Sequence, residues 1–188
     1  MSDSAGEVMA LLEKAARDSQ DLPPLAQWQP AFSGDLDMRI GRDGRWYYLG
    51  SEIKRKALVK LFSRILRREG DEYFMVTPVE KYRIRVDDAP FVAVLMDVLD
   101  HQGKQKLAFT TNVDSTVIAG KAHPIRVETD PESAEPAPYL LVRDGLEALI
   151  ARSVFYRMVE IARSEKRSGG EWLVVESDGE PFPIGALQ

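Results

Sequence analysis

Short alternating segments separated by turn residues constrain this chain most. The stretch DLDMRIGRDGRWYYLG alternates apolar Leu36, Met38 and Ile40 with polar residues, reaches Asp43-Gly44, and continues into WYYL. Alternation with a period of two is typical of a half-buried strand, and an Asp-Gly pair favours the tight turn of a β-hairpin. The stretch therefore predicts a hairpin. We expect its aromatic rings, Trp46 included, to serve mainly in packing.

Further hairpins and three helices follow from the same kind of pattern. Two strands are predicted in EYFMVTPVEKYRIRV, and a longer hairpin is predicted to turn at His101–Lys104. Apolar residues at helical spacing predict a helix over residues 3–19 and a basic helix over 52–68 with Ser51 as its N-cap. A third helix is predicted to begin at Asp144, where Glu147 would complete a capping box.

The order of these elements predicts an internal repeat. Residues 36–53 align with 107–125, and residues 70–86 align with 169–185, at low identity. Each half would then contain a hairpin, a helix and a second hairpin. We predict an α+β protein with an N-terminal helix and linker (1–22), a first unit (23–88) and a similar second unit (89–188) packed against it.

Composition excludes several classes of protein. With 188 residues, 44% apolar and 29% charged, the chain is long enough to bury a core. The absence of cysteine excludes disulfides, thiolate metal sites and a cysteine nucleophile. No nucleophile elbow, Walker loop or dinucleotide-binding glycine motif is present, so we expect no enzymatic activity and no cofactor. No signal segment and no long apolar run is present, which predicts a cytoplasmic protein without membrane contact.

Charge is unevenly distributed along the chain. The net charge is −5, yet residues 39–68 contain ten Lys and Arg residues and two acidic ones. Cations are predicted on one face of the basic helix and on one face of the strand at 81–86. Such a surface could attract a phosphate or an acidic partner, or it could simply be solvated. The acidic pI of about 5.2 argues against binding duplex DNA.

Two groups of polar residues allow alternative interpretations. Glu80, Asp87 and Asp88 could form an acid–base pair or a metal site, but a turn before Pro90 is the favoured explanation. Arg143 is expected to border a cleft beside the third helix. A buried arginine needs a partner, which could be a bound anion or an internal carboxylate such as Glu80 or Asp88.

Several segments also resemble a known family. Motifs characteristic of that family are found in GDLDMRIGRDGRWYYLGSEIKR, LVKLFSRILRR, TPVEKYRIRVDDAPFVAV, TTNV, HPIRV, PYLLVRDGLEALIARSVFYRMVE and FPIG. In this order they resemble the bacterial "domain of unknown function 1285" family, with Asp87-Asp88 as a mild departure. The resemblance implies two related β-rich domains, the second loosely similar to pleckstrin-homology folds. It also implies a binding or signalling role, with a nucleotide-like ligand at the domain junction.

We therefore predict a binding protein for a small anionic, nucleotide-like ligand at the junction of the two units. The alternatives are an adaptor that uses the basic helix 52–68 to bind an acidic protein and, least favoured, a metal-dependent hydrolase. The candidate ligand-binding residues are basic, aromatic or polar side chains: Arg39, Trp46, Thr77, Lys81, Arg83, Asn112, His123, Arg143, Arg152 and Tyr156.

Overall fold

The computed structural model describes residues 3–187, with side chains described from residue 6 to residue 187. Within this range the chain forms an α+β fold with three α-helices, one short 3-10 helix and fifteen strands. The predicted N-terminal helix is confirmed as α1 (Asp3–Gln20), and the 3-10 helix (Leu25–Gln27) follows it. Residues 1, 2 and 188, which belong to the predicted first and last segments, lie outside the described residues.

The first six strands form one sheet. They are β1 (Phe32–Ile40), β2 (Trp46–Tyr48), β3 (Ser51–Glu52), β4 (Leu66–Glu69), β5 (Glu72–Val76) and β6 (Lys81–Val86). Their order is β3-β2-β1-β6-β5-β4, with β1 and β6 parallel and the other pairs antiparallel. The hairpins predicted for β1–β2 and β5–β6 are confirmed. Met38 and Ile40 point into the core, as their alternation requires.

The next six strands form a second sheet. They are β7 (Phe91–His101), β8 (Lys104–Thr111), β9 (Thr116–Ile118), β10 (Ile125–Thr129), β11 (Pro136–Arg143) and β12 (Leu146–Ile150). Their order is β10-β11-β12-β7-β8-β9, with β7 and β12 parallel. Both sheets thus join two three-stranded meanders through one parallel pair. The predicted hairpin turning at His101–Lys104 is confirmed.

The remaining elements lie at the C-terminal end of the chain. Helix α3 (Arg152–Ile161) packs on β7, and β13 (Arg163–Arg167), β14 (Gly170–Ser177) and β15 (Glu180–Leu187) form a three-stranded antiparallel sheet. One hydrophobic core runs through both predicted units. Its most buried side chains include Ile40 and Trp46 from the first unit and Phe91, Phe109 and Leu140 from the second.

The basic helix predicted over 52–68 is wrong in its length. The observed helix, α2, covers only Lys56–Ser63. Ser51 and Glu52 pair with β2 instead of capping a helix, and the backbone of Ile53 donates to the carbonyl of Trp46 at 2.7 Å. Beyond Ser63 the chain turns into β4, which pairs with β5 around the turn at Gly70. Strand pairing at both ends thus restricts the helix to residues 56–63, although the spacing of the apolar residues would also allow a longer helix.

The third helix was also predicted to begin too early. Asp144 and Gly145 both have positive φ, 44° and 76°, and form the tight turn between β11 and β12. The Asp-Gly pair is therefore a hairpin turn and Asp144 is no N-cap. Buried residues alternate along β12, and α3 begins only at Arg152. Helix α3 buries one side through Val154, Phe155 and Met158 and leaves Tyr156 exposed.

Candidate functional site

Asn112 connects the two predicted units through hydrogen bonds in both directions. Its Nδ2 donates to the carbonyl of Gly44 at 3.0 Å, and its Oδ1 accepts from the backbone N–H of Val92 at 3.0 Å. Gly44 has a φ of +84°, and a Cβ placed there would lie 2.6 Å from the Nδ2 of Asn112. Glycine is therefore required at this turn for its backbone conformation and for the close approach of Asn112.

A cavity of about 270 Å³, the seam cavity, opens beside this contact. It is bordered by the 43–46 turn, by residues 52–60 and by Asn112, so both units contribute to it. Four basic side chains line it, whereas Asp43 and Glu52 are its acidic residues. The basic side chains are Arg45, Lys54, Lys56 and Lys60.

These four cations differ in how far they are neutralised. Arg45 lies 3.6 Å from Asp43 and 3.9 Å from Glu52 at an exposed position, where ion pairs are weak. Lys60 lies 2.5 Å from Asp114. Lys54 and Lys56 have no carboxylate within 4 Å among residues 6–187. Among the described residues, the seam cavity is therefore lined by two lysines without a salt bridge, and Lys56 also acts at longer range on the Asp114 carboxylate.

The neighbouring lysines lower the pKa of Asp114. The hydrogen bond from Lys60 lowers the pKa of the Asp114 carboxyl below its usual range, and the charges of Lys60, Lys56 and Lys14 lower it further. Lys14 on α1 also donates to the backbone carbonyl of Asp114 at 2.5 Å. Lysines from two helices thus contact the same residue, Lys60 at its carboxylate and Lys14 at its backbone carbonyl.

Trp46 lies against the seam cavity, but its ring is not available for stacking on a ligand. Its side chain is only 1% exposed, and its ring stacks on Phe62 with the ring centroids 6.3 Å apart. The indole N–H has no acceptor within residues 6–187. Trp46 is one of the candidate ligand-binding residues, but its ring is buried in the core, as the expected packing role requires, and cannot stack on a ligand even though the residue borders the cavity.

Arg143 crosses between the units without forming an ion pair. Its Nη2 donates to the carbonyl of Ser63 at 2.6 Å, and the guanidinium lies 5.3 Å from the centre of the Phe91 ring. Burial lowers the pKa of Arg143, and no carboxylate among residues 6–187 lies within 4 Å of it. The internal partners considered for it bind elsewhere: Glu80 accepts from Tyr82, and Asp88 accepts from Tyr139.

Arg143 and His123 line a second cavity, the helix cavity, of about 350 Å³. It lies beneath α1 and is bordered by β9 and by the end of β11. The Nδ1 of His123 lies 3.1 Å from the carbonyl oxygen of Leu141. Two predicted site residues are thus brought together here, whereas Trp46 and Asn112 meet at the seam cavity.

The predicted basic field on β6 is neutralised by acidic residues of the same sheet. Lys81 lies 3.0 Å from Glu69, and Arg83 lies 2.6 Å from Asp35 and 2.7 Å from Glu72. The hydrogen bonds that Arg83 donates to Asp35 and Glu72 raise its pKa above its usual range. These cations are paired within the first unit, and the ion pairs of Arg83 lie at partly exposed positions where they add little to stability.

The other predicted site residues lie away from both cavities. Arg39 lies 2.5 Å from Asp87, and the hydroxyl of Thr77 accepts the backbone N–H of Glu80 at 3.0 Å. Arg152 and Tyr156 are on α3, where Arg152 lies 3.0 Å from Glu135 and Tyr156 is 57% exposed. The structure therefore does not bring the ten predicted residues together into one site.

The arginines predicted on the basic helix hold the linker, which in the structure runs from α1 to β1 over residues 21–31. Arg64 donates to the carbonyl of Asp21, and Arg67 donates to the carbonyl of Leu25 and, at 2.7 Å, to that of Trp28. Arg67 is on β4 and not on α2. The predicted continuous basic face is therefore wrong.

The three carboxylates considered for metal binding have separate partners. Asp87 pairs with Arg39, Asp88 lies 3.1 Å from Arg42, and Glu80 accepts from the Tyr82 hydroxyl. Within the described part of the chain, no group of three or more His, Asp or Glu side chains is arranged to hold a metal ion.

Comparison with known proteins identifies the family. Residues 23–89 match the family model described as "Domain of unknown function (DUF1285), N-terminal domain". Residues 90–184 match the one described as "Protein of unknown function (DUF1285), C-terminal domain". The chain belongs to the DUF1285 family. The resemblance noted in its sequence is thereby confirmed.

Two solved structures of DUF1285 proteins are similar to the chain. A DUF1285 family protein from Silicibacter pomeroyi DSS-3 is 49% identical, with a TM-score of 0.81 over 94% of this chain and 95% of that one. Another, from Shewanella baltica OS155, is 29% identical, with a TM-score of 0.53 over 66% of this chain and 91% of that one. No curated protein matches.

Sequence reasoning on this DUF1285 chain predicted Trp46 and Asn112 of the seam cavity but missed the basic side chains that line it. The signal was present in Lys54-Arg55-Lys56, which directly follows the aromatic hairpin, but these cations were attributed to a long helix. No pattern in the sequence indicates that Asp18 and Thr116 line the helix cavity. Among residues 3–187, no helix combines the length and apolarity that crossing a bilayer requires.

Proposed function

We propose that this protein binds a small anionic, nucleotide-like ligand in the seam cavity and catalyses no reaction. The observation that carries the proposal is the pair Lys54 and Lys56, whose charges have no carboxylate within 4 Å among the described side chains, at a cavity lined by both units. Ammonium groups in this position attract phosphate and donate charge-assisted hydrogen bonds to it.

The size and lining of the cavity favour a mononucleotide over a larger ligand. About 270 Å³ is at the small end for ligand sites, so part of the ligand would remain in solvent. Lys54 and Lys56 would contact the phosphate. Arg45, with an exposed side chain, would offer its planar guanidinium to the base, a role for which Trp46 is too deeply buried.

The position of the cavity favours a signalling role. A ligand that contacts the 43–46 turn and the Asn112 segment together would stabilise the packing of one unit on the other. The two six-stranded sheets share a strand order when β1–β6 are matched with β7–β12, which supports an internal repeat. This correspondence differs from the predicted alignment of residues 70–86 with 169–185, because 169–185 lie in the three-stranded sheet. The proposed binding site lies where the two six-stranded sheets meet. We retain the similarity of the second unit to pleckstrin-homology folds as part of this proposal, along with a bacterial origin and a cytoplasmic location.

The proposal is tested by the melting temperature of the protein in the presence of AMP, ADP and inorganic pyrophosphate. Ligand at about 100 times its dissociation constant adds about 2.7 kcal/mol to the free energy of unfolding. We expect at least one of these compounds to raise the melting temperature, and the rise should decrease with added salt. No shift with any of them would remove the support for a phosphate-bearing ligand.

A second proposal is an adaptor that binds an acidic protein through the surface around α2. It is favoured by the exposed side chains of Lys54, Arg55 and Lys56 and by Leu61, which lies on α2 and is 58% exposed. Lys60 and Arg64 contribute less because they contact Asp114 and the linker. Salt-sensitive capture of one acidic partner should be lost on changing Lys54→Glu and Lys56→Glu. Unchanged capture by that variant would contradict the adaptor.

A further inference from the structure

The segment from β3 to α2 presents one carboxylate and two ammonium groups to the seam cavity. Glu52, Lys54 and Lys56 border the cavity, whereas Arg55 does not. Ile53 lies between Glu52 and Lys54 and packs against the hydrophobic core, and its backbone N–H donates to the carbonyl of Trp46 at 2.7 Å. These contacts fix the segment, so that an acceptor and two donors of hydrogen bonds share one wall of the cavity.

The carboxylate of Glu52 is available to a ligand. Its Oε1 lies 3.9 Å from the Nε of Arg45, which is too far for a hydrogen bond, and no donor within residues 6–187 forms one with it. Its side chain is 33% exposed, and an ion pair of this length at the surface is weak. Asp43, the other carboxylate of the cavity, already accepts the backbone N–H of Arg45 at 3.0 Å.

A carboxylate in a wall that also contains lysines limits what the cavity can bind. Phosphate is attracted by Lys54 and Lys56 but repelled by Glu52, because like charges oppose each other at short range. A ligand that consists of phosphate alone therefore gains nothing from Glu52. A ligand that carries hydroxyl groups next to its phosphate gains hydrogen bonds to the carboxylate, and hydrogen bonds to an ionised acceptor are stronger than neutral ones.

Ribose phosphates have this combination of groups. The neighbouring hydroxyls of ribose are donors on the same sugar that carries the phosphate, and carboxylates accept hydrogen bonds from such hydroxyls at other nucleotide sites. Arg45, which is proposed to contact the base, is the cation nearest to Glu52 among the described residues. Base, sugar and phosphate would then contact Arg45, Glu52 and the two lysines in that order.

We infer that Glu52 accepts hydrogen bonds from the ribose hydroxyls, so that the seam cavity selects ribonucleotides over deoxyribonucleotides. The inference rests on the function proposed above and adds the class of nucleotide to it. The lysines supply affinity for phosphate, and Glu52 supplies discrimination between sugars, since the 2′-hydroxyl is the group in which the two sugars differ.

The inference is tested by calorimetric titration of the full chain with AMP, 2′-deoxy-AMP and inorganic pyrophosphate. We expect AMP to bind about tenfold more tightly than 2′-deoxy-AMP, which lacks one hydrogen bond to the carboxylate. Equal affinity for the two nucleotides, or binding of pyrophosphate alone, would overturn the inference and leave the proposed phosphate site standing. Absence of binding by all three compounds would overturn both.

The variant Glu52→Met separates recognition of the sugar from a change of charge. The preference for AMP over 2′-deoxy-AMP should fall to about one, whereas pyrophosphate should bind more tightly because a repulsive charge is removed. Glu80→Met removes the same charge away from the cavity, also at an exposed position, and should keep the preference. A preference that persists in Glu52→Met or is lost in Glu80→Met would contradict the role of Glu52, as would weaker binding of pyrophosphate to Glu52→Met.

Discussion

The side-chain amide of Asn112 donates to the backbone carbonyl of Gly44 across the junction of the two predicted units. The same amide accepts from Val92, so one side chain links the 41–45 turn of the first sheet to β7 of the second. The seam cavity opens directly beside this link. The rigidity of the proposed site therefore depends on a contact that requires glycine on one side and asparagine on the other.

Changing Gly44→Ala is expected to destabilise the protein more than changing Gly50→Ala. Both glycines have similar positive φ, +84° and +80°, so both alanines carry a backbone strain of about 1–2 kcal/mol. Only at Gly44 would the new Cβ meet Asn112, at 2.6 Å, whereas nothing lies within 4 Å at Gly50. Urea denaturation of the two variants measures the difference. Equal losses would contradict the close approach.

Changing Asn112→Ala should reduce the free energy of unfolding by about 1–3 kcal/mol. The change removes the side-chain partner of the Val92 N–H and of the Gly44 carbonyl at a part-buried position. Lys104→Ala, at an exposed hairpin turn, is the control and should stay within about 0.5 kcal/mol of wild type. In an Asn112→Ala background the extra cost of Gly44→Ala should also shrink, since the two residues are in contact.

The Lys60–Asp114 pair should make stability depend on pH in the acid range. The folded pKa of Asp114 is lowered, so its contribution is present above its ordinary value of about 3.9 and is lost as pH falls through the folded pKa. The difference in unfolding free energy between wild type and Lys60→Met should therefore shrink below about pH 4. Lys54→Met, whose lysine has no carboxylate within 4 Å among residues 6–187, should show no such trend. A difference that stays constant down to the acid limit would contradict the pair.

Arg67 is expected to hold the N-terminal linker onto the first unit. Its side chain is mostly buried and donates to two backbone carbonyls of residues 25–28. Arg67→Met should therefore speed hydrogen exchange and proteolysis in residues 21–30 while the sheets stay protected. Arg85→Met, which removes an exposed ion pair with Asp37, is the matched control. Unchanged protection of the linker would show that Arg67 does not hold it.

Local patterns in the sequence predicted the hairpins but did not distinguish two uses of the same dipeptide. Asp43-Gly44 and Asp144-Gly145 both form turns between strands, yet the second is followed by Glu147 and therefore also fits a helix cap. The pairing of β12 with β7, more than fifty residues earlier in the chain, decides between them. Pairing between strands so far apart in the chain cannot be detected from a short stretch of sequence.

The candidate site was predicted less well than the fold for a related reason. The parallel pairing of β1 with β6 places Asp35 opposite Arg83, so a strand that is basic when considered alone becomes part of a neutral ladder. Asp35 and Asp37 alternate along β1, but only the register between distant strands shows which cations they neutralise. Cations that remain free can be identified only after the sheet is known.

The most direct test of the proposed function is a calorimetric titration with AMP and with inorganic pyrophosphate against the wild type and two charge-matched double variants. The account predicts that Lys54→Met with Lys56→Met weakens binding at least about tenfold, since each removes a charge-assisted hydrogen bond to phosphate. It predicts that Lys81→Met with Arg83→Met leaves the affinity within about twofold, because both cations are paired within their sheet. Equal weakening in the two variants, or full affinity in the Lys54 and Lys56 variant, would contradict the account.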